Sequence, residues 1–81
     1  MNVQLSRRAL MALMEAPQQI QKAFIKQMNF LCRDLKHPGL HTKKYDETNN
    51  LWQARINGDW RFWFEVHEEF YFVIDLGPHP K

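Results

Sequence analysis

A chain of 81 residues has room for one hydrophobic core and not two, because folds this small bury only about 60% of the surface that their unfolded chains expose. Hydrophobic residues make up 44% of it and charged residues 25%, which excludes a disordered polymer, and a formal charge of +2 excludes a protein held to a polyanion by net charge alone. One cysteine excludes an internal disulfide, no apolar run reaches transmembrane length and residues 1–6 hold no signal-peptide core, so the expectation is one domain over 1–81 in the reducing cytoplasm, away from any membrane.

Residues 2–5 alternate, with Val3 and Leu5 on one side and Asn2 and Gln4 on the other, which predicts a short edge strand. Ser6 is placed to cap a helix whose apolar positions are Leu10, Leu13 and Met14. Pro17 restarts the chain, since proline is tolerated in the first helical turn, where its missing N–H has no partner to lose. Ile20, Phe24, Met28, Leu31 and Leu35 then recur at steps of three or four and form one stripe of a second helix. Lys36 suits its C-terminus, and His37-Pro38-Gly39 ends it. Leu40 to Asn50 is polar and without period, and reads as a long connecting loop.

The last third alternates strictly. Trp52, Ala54 and Ile56 share a face, as do Trp60, Phe62, Phe64 and Val66, and then Phe70, Phe72, Ile74 and Leu76, which predicts three antiparallel strands. Paired residues must lie on the same face, because a slip of one residue would turn the core outward. Ile56 then pairs with Trp60 across Asn57-Gly58-Asp59, and Val66 pairs with Phe70 across His67-Glu68-Glu69. On the polar face this register sets Arg55, Arg61 and Asp75 in one row, Gln53 beside Trp63 and Glu65 beside Tyr71.

Two arginines side by side destabilise a sheet by up to roughly 1 kcal/mol and call for a counter-ion. Two readings stay open: Asp75 completes a structural ion pair, or it offsets only one guanidinium and the other holds a phosphate through its planar fork of donors. Trp63 and Tyr71, on the same face, could stack on a base or on their neighbours. His79 follows the last strand in a tail stiffened by Pro78 and Pro80, where an imidazole can trade protons at neutral pH and Lys81 can add a charge. Lys43-Lys44 suits a phosphate backbone. His37 and His41 have metal-ligand spacing, but Pro38-Gly39 breaks any helix between them and nothing completes a ligand set, so neither a metal nor another cofactor is expected. Cys32 beside the apolar stripe reads as a small core residue.

The order of one strand, two helices and three antiparallel strands, together with Leu51-Trp52-Gln53-Ala54-Arg55-Ile56-Asn57-Gly58-Asp59-Trp60-Arg61-Phe62-Trp63-Phe64, resembles the RelE/ParE superfamily of toxin–antitoxin toxins over nearly the whole chain. The resemblance is nearest to the ribosome-dependent mRNA endonucleases, in which an aromatic-x-x-Arg-Ile segment is followed by an arginine in the next strand and a histidine near the C-terminus. It implies an α+β fold: an N-terminal strand and a two-helix hairpin packed on a three- to four-stranded, mainly antiparallel sheet.

It also implies a growth-inhibiting endoribonuclease, free of metal, that cuts mRNA on the ribosome and is neutralised by a cognate antitoxin protein. Arg61 matches the arginine that supports the scissile phosphate, and His79 matches the C-terminal histidine of members that use one. Lys43, Lys44, Arg55, Lys81 and Trp63 would then bind the RNA. Some members place a glutamate before the second strand as the base, and His41 is the nearest substitute in this chain. The same fold also serves gyrase-inhibiting toxins, which need no His79, and a non-toxic relative would need only a partner surface.

Overall fold

The computed structural model describes residues 1–79; Lys81, expected to bind RNA, lies outside them. The elements are β1 (Asn2–Leu5), α1 (Arg7–Glu15), α2 (Gln18–Arg33), a single 3-10 turn (Pro38–Leu40), β2 (Lys43–Asp46), β3 (Leu51–Arg55), β4 (Trp60–Val66) and β5 (Phe70–Pro78). The strands form one sheet in the order β1-β5-β4-β3-β2, with β1 parallel to β5 and every other pair antiparallel. The helices therefore carry the chain from one edge of the sheet to the other, in an α+β arrangement with an N-terminal strand.

The sheet has five strands, more than the three to four expected, because the supposed loop over 40–50 contains the 3-10 turn and β2. β2 reads Lys-Lys-Tyr-Asp, is largely exposed on both faces and pairs only with β3. Unlike the other edge strand, β1, it turns no apolar face to the core, so it gives no period-two signal.

Ser6 caps α1 as expected, its Oγ accepting from the Ala9 N–H at 3.0 Å. The inward face of α1 differs from the stripe over Leu10, Leu13 and Met14. Ala9 and Ala16 are buried, with Ala12 and Leu13 packed against the core, while Leu10 and Met14 are 48% and 66% exposed. Alanines let this short helix lie close to the sheet, and the larger side chains are left outside.

Along α2, Ile20, Phe24 and Leu31 are buried and Met28 is partly so. The helix ends at Arg33, where the Asp34 N–H donates to the Phe30 carbonyl at 2.9 Å, so Leu35 and Lys36 lie beyond it. Asp34 Oδ1 accepts from the Lys36 N–H at 2.9 Å and turns the chain toward the 3-10 segment. Cys32 is exposed and not in the core as expected.

β3 and β4 pair in the expected register: the Ile56 N–H donates to the Trp60 carbonyl at 2.9 Å, Arg55 lies opposite Arg61, and Gln53 opposite Trp63. β4 and β5 do not. The His67 N–H donates to the Phe70 carbonyl at 2.9 Å, so the turn is Glu68-Glu69 alone. One residue fewer in the turn shifts the strand by one, pairing Val66 with Tyr71, Glu65 with Phe72 and Phe64 with Val73. Tyr71 and Val73 are buried as a result, in place of Phe70, Phe72 and Ile74.

A β-bulge then restores the original parity. Phe64 pairs with Val73 and Trp63 with Asp75, leaving Ile74 unmatched, and Leu76 turns inward opposite Phe62. Ser6 holds the bulge from the side, its N–H donating to the Val73 carbonyl at 2.9 Å and its Oγ to the Ile74 carbonyl at 2.8 Å. Beneath the sheet, Phe62 meets Phe24 edge-on at 5.6 Å and lies 5.4 Å from Phe64 between ring centres.

Candidate nucleic-acid interface

The bulge decides what surrounds the two arginines. Arg61 lies opposite Gly77, and Asp75, opposite Trp63, reaches Arg8 instead at 4.0 Å. That pair and His67–Glu65 are the ion pairs among the described residues, so the expected row Arg55, Arg61, Asp75 does not form and no carboxylate pairs with either arginine. Arg55 and Arg61 face each other across two strands as like charges, with no carboxylate of the described residues in direct contact with either.

Arg61 is fastened at one corner. Its Nη1 donates to the carbonyls of Asn57 at 2.8 Å and Gly58 at 3.2 Å in the β3–β4 connection, and of Trp60 at 3.1 Å at the start of β4. Partial burial pushes its guanidinium below the ordinary arginine value, the neighbouring Arg55 charge adds to this, and Asp59 opposes it. An arginine so placed stays protonated at neutral pH, and it gains from any anion that enters. Arg55 carries the same stress in another form: its Nε is buried and has no hydrogen-bond partner. A buried, unpartnered donor costs about 1–3 kcal/mol, more on a charged group.

Around the pair is a cleft of about 230 Å³ lined by His41, Lys43, Gln53, Arg55, Arg61 and His79. Asp59 fixes the tail, its carbonyl accepting from the His79 N–H at 2.7 Å, while the His79 side chain remains exposed at the cleft. Lys43 enters from the edge strand, opposite Gln53. Gln53 is buried, and its Oε1 accepts from Trp63 Nε1 at 3.2 Å, which leaves its amide N–H groups as the free donors. The cleft thus combines two guanidiniums, an ammonium, an amide and two imidazoles, a lining suited to a phosphodiester.

Of the residues singled out in the sequence, Lys43, Arg55, Arg61 and His79 converge here, and His41 joins them. Lys44 does not: it lies opposite Trp52, its Nζ 5.8 Å from the centre of that ring. Trp63 is not part of the lining and acts through Gln53. Tyr71, expected beside Trp63 as a stacking ring, is buried on the core side, and burial raises its phenol above the ordinary value, with lesser contributions from Cys32 and Asp34. The acids just before β3 stand apart from the cleft: Asp46 Oδ2 accepts from Asn49 Nδ2 at 2.8 Å and its Oδ1 from the Thr48 N–H at 3.0 Å. The Asn49 side chain is the main cause that holds this carboxyl below its usual value.

Two contributors are not among the site residues that the sequence singles out: Gln53, placed on the polar face but given no role, and Gln27. Gln53 shares its parity with Arg55 and Arg61 and could have been found by that signal. Gln27 lies inside the apolar stripe of α2, 7% exposed, and its Nε2 donates to the Arg55 carbonyl at 2.7 Å and the Gly39 carbonyl at 3.0 Å. It ties the end of β3 to the 3-10 turn from behind.

No protein-family model matches this chain. No curated protein sequence matches it either. Solved structures do. The archaeal RelE of the RelE–RelB complex from Pyrococcus horikoshii superposes with a TM-score of 0.80 at 21% identity, covering 95% of this chain and 92% of that one. A YoeB/ParE toxin from Agrobacterium tumefaciens gives 0.82 at 13% identity over 99% and 100% of the two chains. The YoeB of a Staphylococcus aureus dimer gives 0.82 at 14% identity over 99% and 98%. At these identities the likeness establishes the fold, which is that of the RelE/ParE-like toxins.

Proposed function

We propose that the protein is the toxin of a type II toxin–antitoxin pair and acts as a metal-independent endoribonuclease on ribosome-bound mRNA. The observation that carries this reading is the cleft itself: two facing arginines that no carboxylate of the described residues pairs, one with a buried unpartnered Nε, beside two imidazoles and a lysine. A gyrase inhibitor or a simple binding surface gives no reason to hold imidazoles against an arginine pair.

In this mechanism Arg61 and Arg55 bind the non-bridging oxygens of the scissile phosphate and Lys43 the neighbouring backbone. His41 removes the proton of the adjacent ribose 2′-hydroxyl, whose oxygen attacks phosphorus. The bond to the 5′-oxygen breaks, and His79 delivers a proton to that leaving oxygen. The products are a 2′,3′-cyclic phosphate and a 5′-hydroxyl end. Negative charge grows on the equatorial oxygens in the transition state, where the preorganised guanidinium of Arg61 stabilises it most.

The archaeal RelE was solved with RelB, and by analogy an antitoxin is the partner here. The apolar side chains that α1 leaves exposed, Leu10, Met11 and Met14, offer it a docking face. The site of action is the cytoplasm, where the ribosomes are. The test is induced expression in a bacterial host, following growth and mRNA integrity for the wild type, Arg61→Ala and His79→Ala. Arrest with cleaved transcripts, relieved by both substitutions, supports the nuclease; arrest with intact mRNA moves the case to gyrase; no arrest leaves a binding protein of toxin fold.

A further inference from the structure

A second hollow adjoins the arginine cleft. It measures about 240 Å³ and is lined by Lys36, His37, Pro38, His41, Thr42 and Trp52. His41 is a wall of both spaces. That residue ends the 3-10 turn at φ 49°, ψ 48°, in the left-handed region. The conformation costs a side chain on the order of 1 kcal/mol and favours glycine, so an imidazole kept there is a feature that local stability does not select.

The side chains around the hollow are tied to their neighbours. Trp52 is half-buried, lies 6.4 Å from Phe64 at 26° between ring planes, and its Nε1 donates to Asn50 Oδ1 at 3.4 Å. The Lys44 ammonium rests 5.8 Å from the centre of its ring, so a cation from the surface already reaches the indole. His37 stacks on Phe30 at 4.0 Å and 6°, and its Nδ1 accepts from the Gly39 N–H at 3.1 Å. In the neutral ring the proton is therefore on Nε2, a donor held in place. The Thr42 hydroxyl donates to the Leu35 carbonyl at 2.9 Å, which spends its proton inside the protein and leaves its oxygen as an acceptor. Lys36 is exposed.

We infer that this hollow is a nucleobase subsite, taking a base of single-stranded RNA next to the phosphate held by Arg55 and Arg61. The inference rests on the ribonuclease reading and adds to it the element that binds the base. A fixed indole with cations around it is the chemistry that holds unpaired bases by stacking, whereas the arginine cleft grips only the backbone. The volume falls below the roughly 300–1,000 Å³ of pockets for drug-sized ligands and suits one ring system. Trp52 projects from the core face of β3 and Arg55 from the other, so the RNA strand passes over His41 at the sheet edge, which sets base and phosphate on either side of one imidazole.

The test uses a short oligoribonucleotide blocked against cleavage by 2′-O-methyl groups, and the same strand with an abasic site at each position in turn. Affinities at fixed salt are measured for the wild type, Trp52→Leu, Lys36→Ala and Arg61→Ala, with circular dichroism as the check on folding. One abasic position should weaken wild-type binding about ten-fold, the scale of one stacked base, and Trp52→Leu should abolish that difference. Lys36→Ala should reduce it, and Arg61→Ala should weaken all the strands alike. If Trp52→Leu does not fold, Lys36→Ala on its exposed side chain decides. Should Trp52→Leu and Lys36→Ala keep wild-type affinity and the full abasic penalty while Arg61→Ala binds weakly, the subsite is overturned and the arginine cleft stands. A wild type that binds no strand overturns the subsite, while the nuclease reading is decided separately by the expression assay on ribosome-bound mRNA.

Discussion

Replacing Gln27 by leucine removes a side chain that no sequence argument would have picked out, and the structure sets the size of the effect. Two hydrogen bonds are lost, to the Arg55 carbonyl at 2.7 Å and the Gly39 carbonyl at 3.0 Å, from a residue only 7% exposed. Each such bond contributes about 1 kcal/mol net, and neither carbonyl gains a new donor from leucine, so the expected loss is about 2 kcal/mol. For a domain of this size that lowers Tm on the order of 10 °C. Gln27→Glu should be worse at neutral pH, because it sets a buried carboxylate beside two carbonyl oxygens. Its pKa in the fold then rises above the unfolded value, so stability recovers as the pH falls. Thermal unfolding followed by circular dichroism reads both effects. A Gln27→Leu protein melting within about 2 °C of the wild type would refute the claim that this amide fastens β3 to the 3-10 turn.

Other perturbations test separate parts of the account. Phe62→Ala empties the centre of the core at a fully buried ring, should cost about 3–5 kcal/mol, and is read by urea denaturation. Ser6→Ala removes the α1 cap and the clamp on the β5 bulge together, a loss of about 2 kcal/mol in the same assay. His41→Gly keeps or raises stability, since glycine adopts the left-handed conformation without strain, while RNA cleavage falls at least about ten-fold. Asp46 has a carboxyl held below its unfolded value, so its contribution is fully present above the ordinary carboxylate range and is lost as the pH falls through the folded value. Asp46→Asn should therefore flatten the acid limb of the stability curve.

The legible parts of the fold were those governed by a period or by a cap. Ser6 announced α1, the step of three and four announced α2, and strict alternation placed Arg55 opposite Arg61. Parity across the last hairpin was illegible because two glutamates and three turn residues bound the strands equally well in sequence. The one-residue shift there, and the bulge at Ile74 that reverses it, are settled by Ser6 and the burial of Tyr71 and Val73, contacts far apart along the chain. That pair of shifts moved Asp75 away from Arg61 and left the two arginines lining a cleft in place of an ion-pair row. β2 stayed hidden because an exposed edge strand has no apolar face to display. His41 and His79 could be named from the sequence, but that β5 runs to Pro78 opposite Trp60 and the His79 N–H is tied to the Asp59 carbonyl could not.

The most direct measurement of the central claim is the chemistry of the transcript ends in cells expressing this protein. Attack by a 2′-hydroxyl predicts new mRNA cuts bearing 5′-hydroxyl ends in the wild type, and their loss with Arg61→Ala. Cuts bearing 5′-phosphates, or 5′-hydroxyl cuts that persist unchanged in Arg61→Ala, would contradict it.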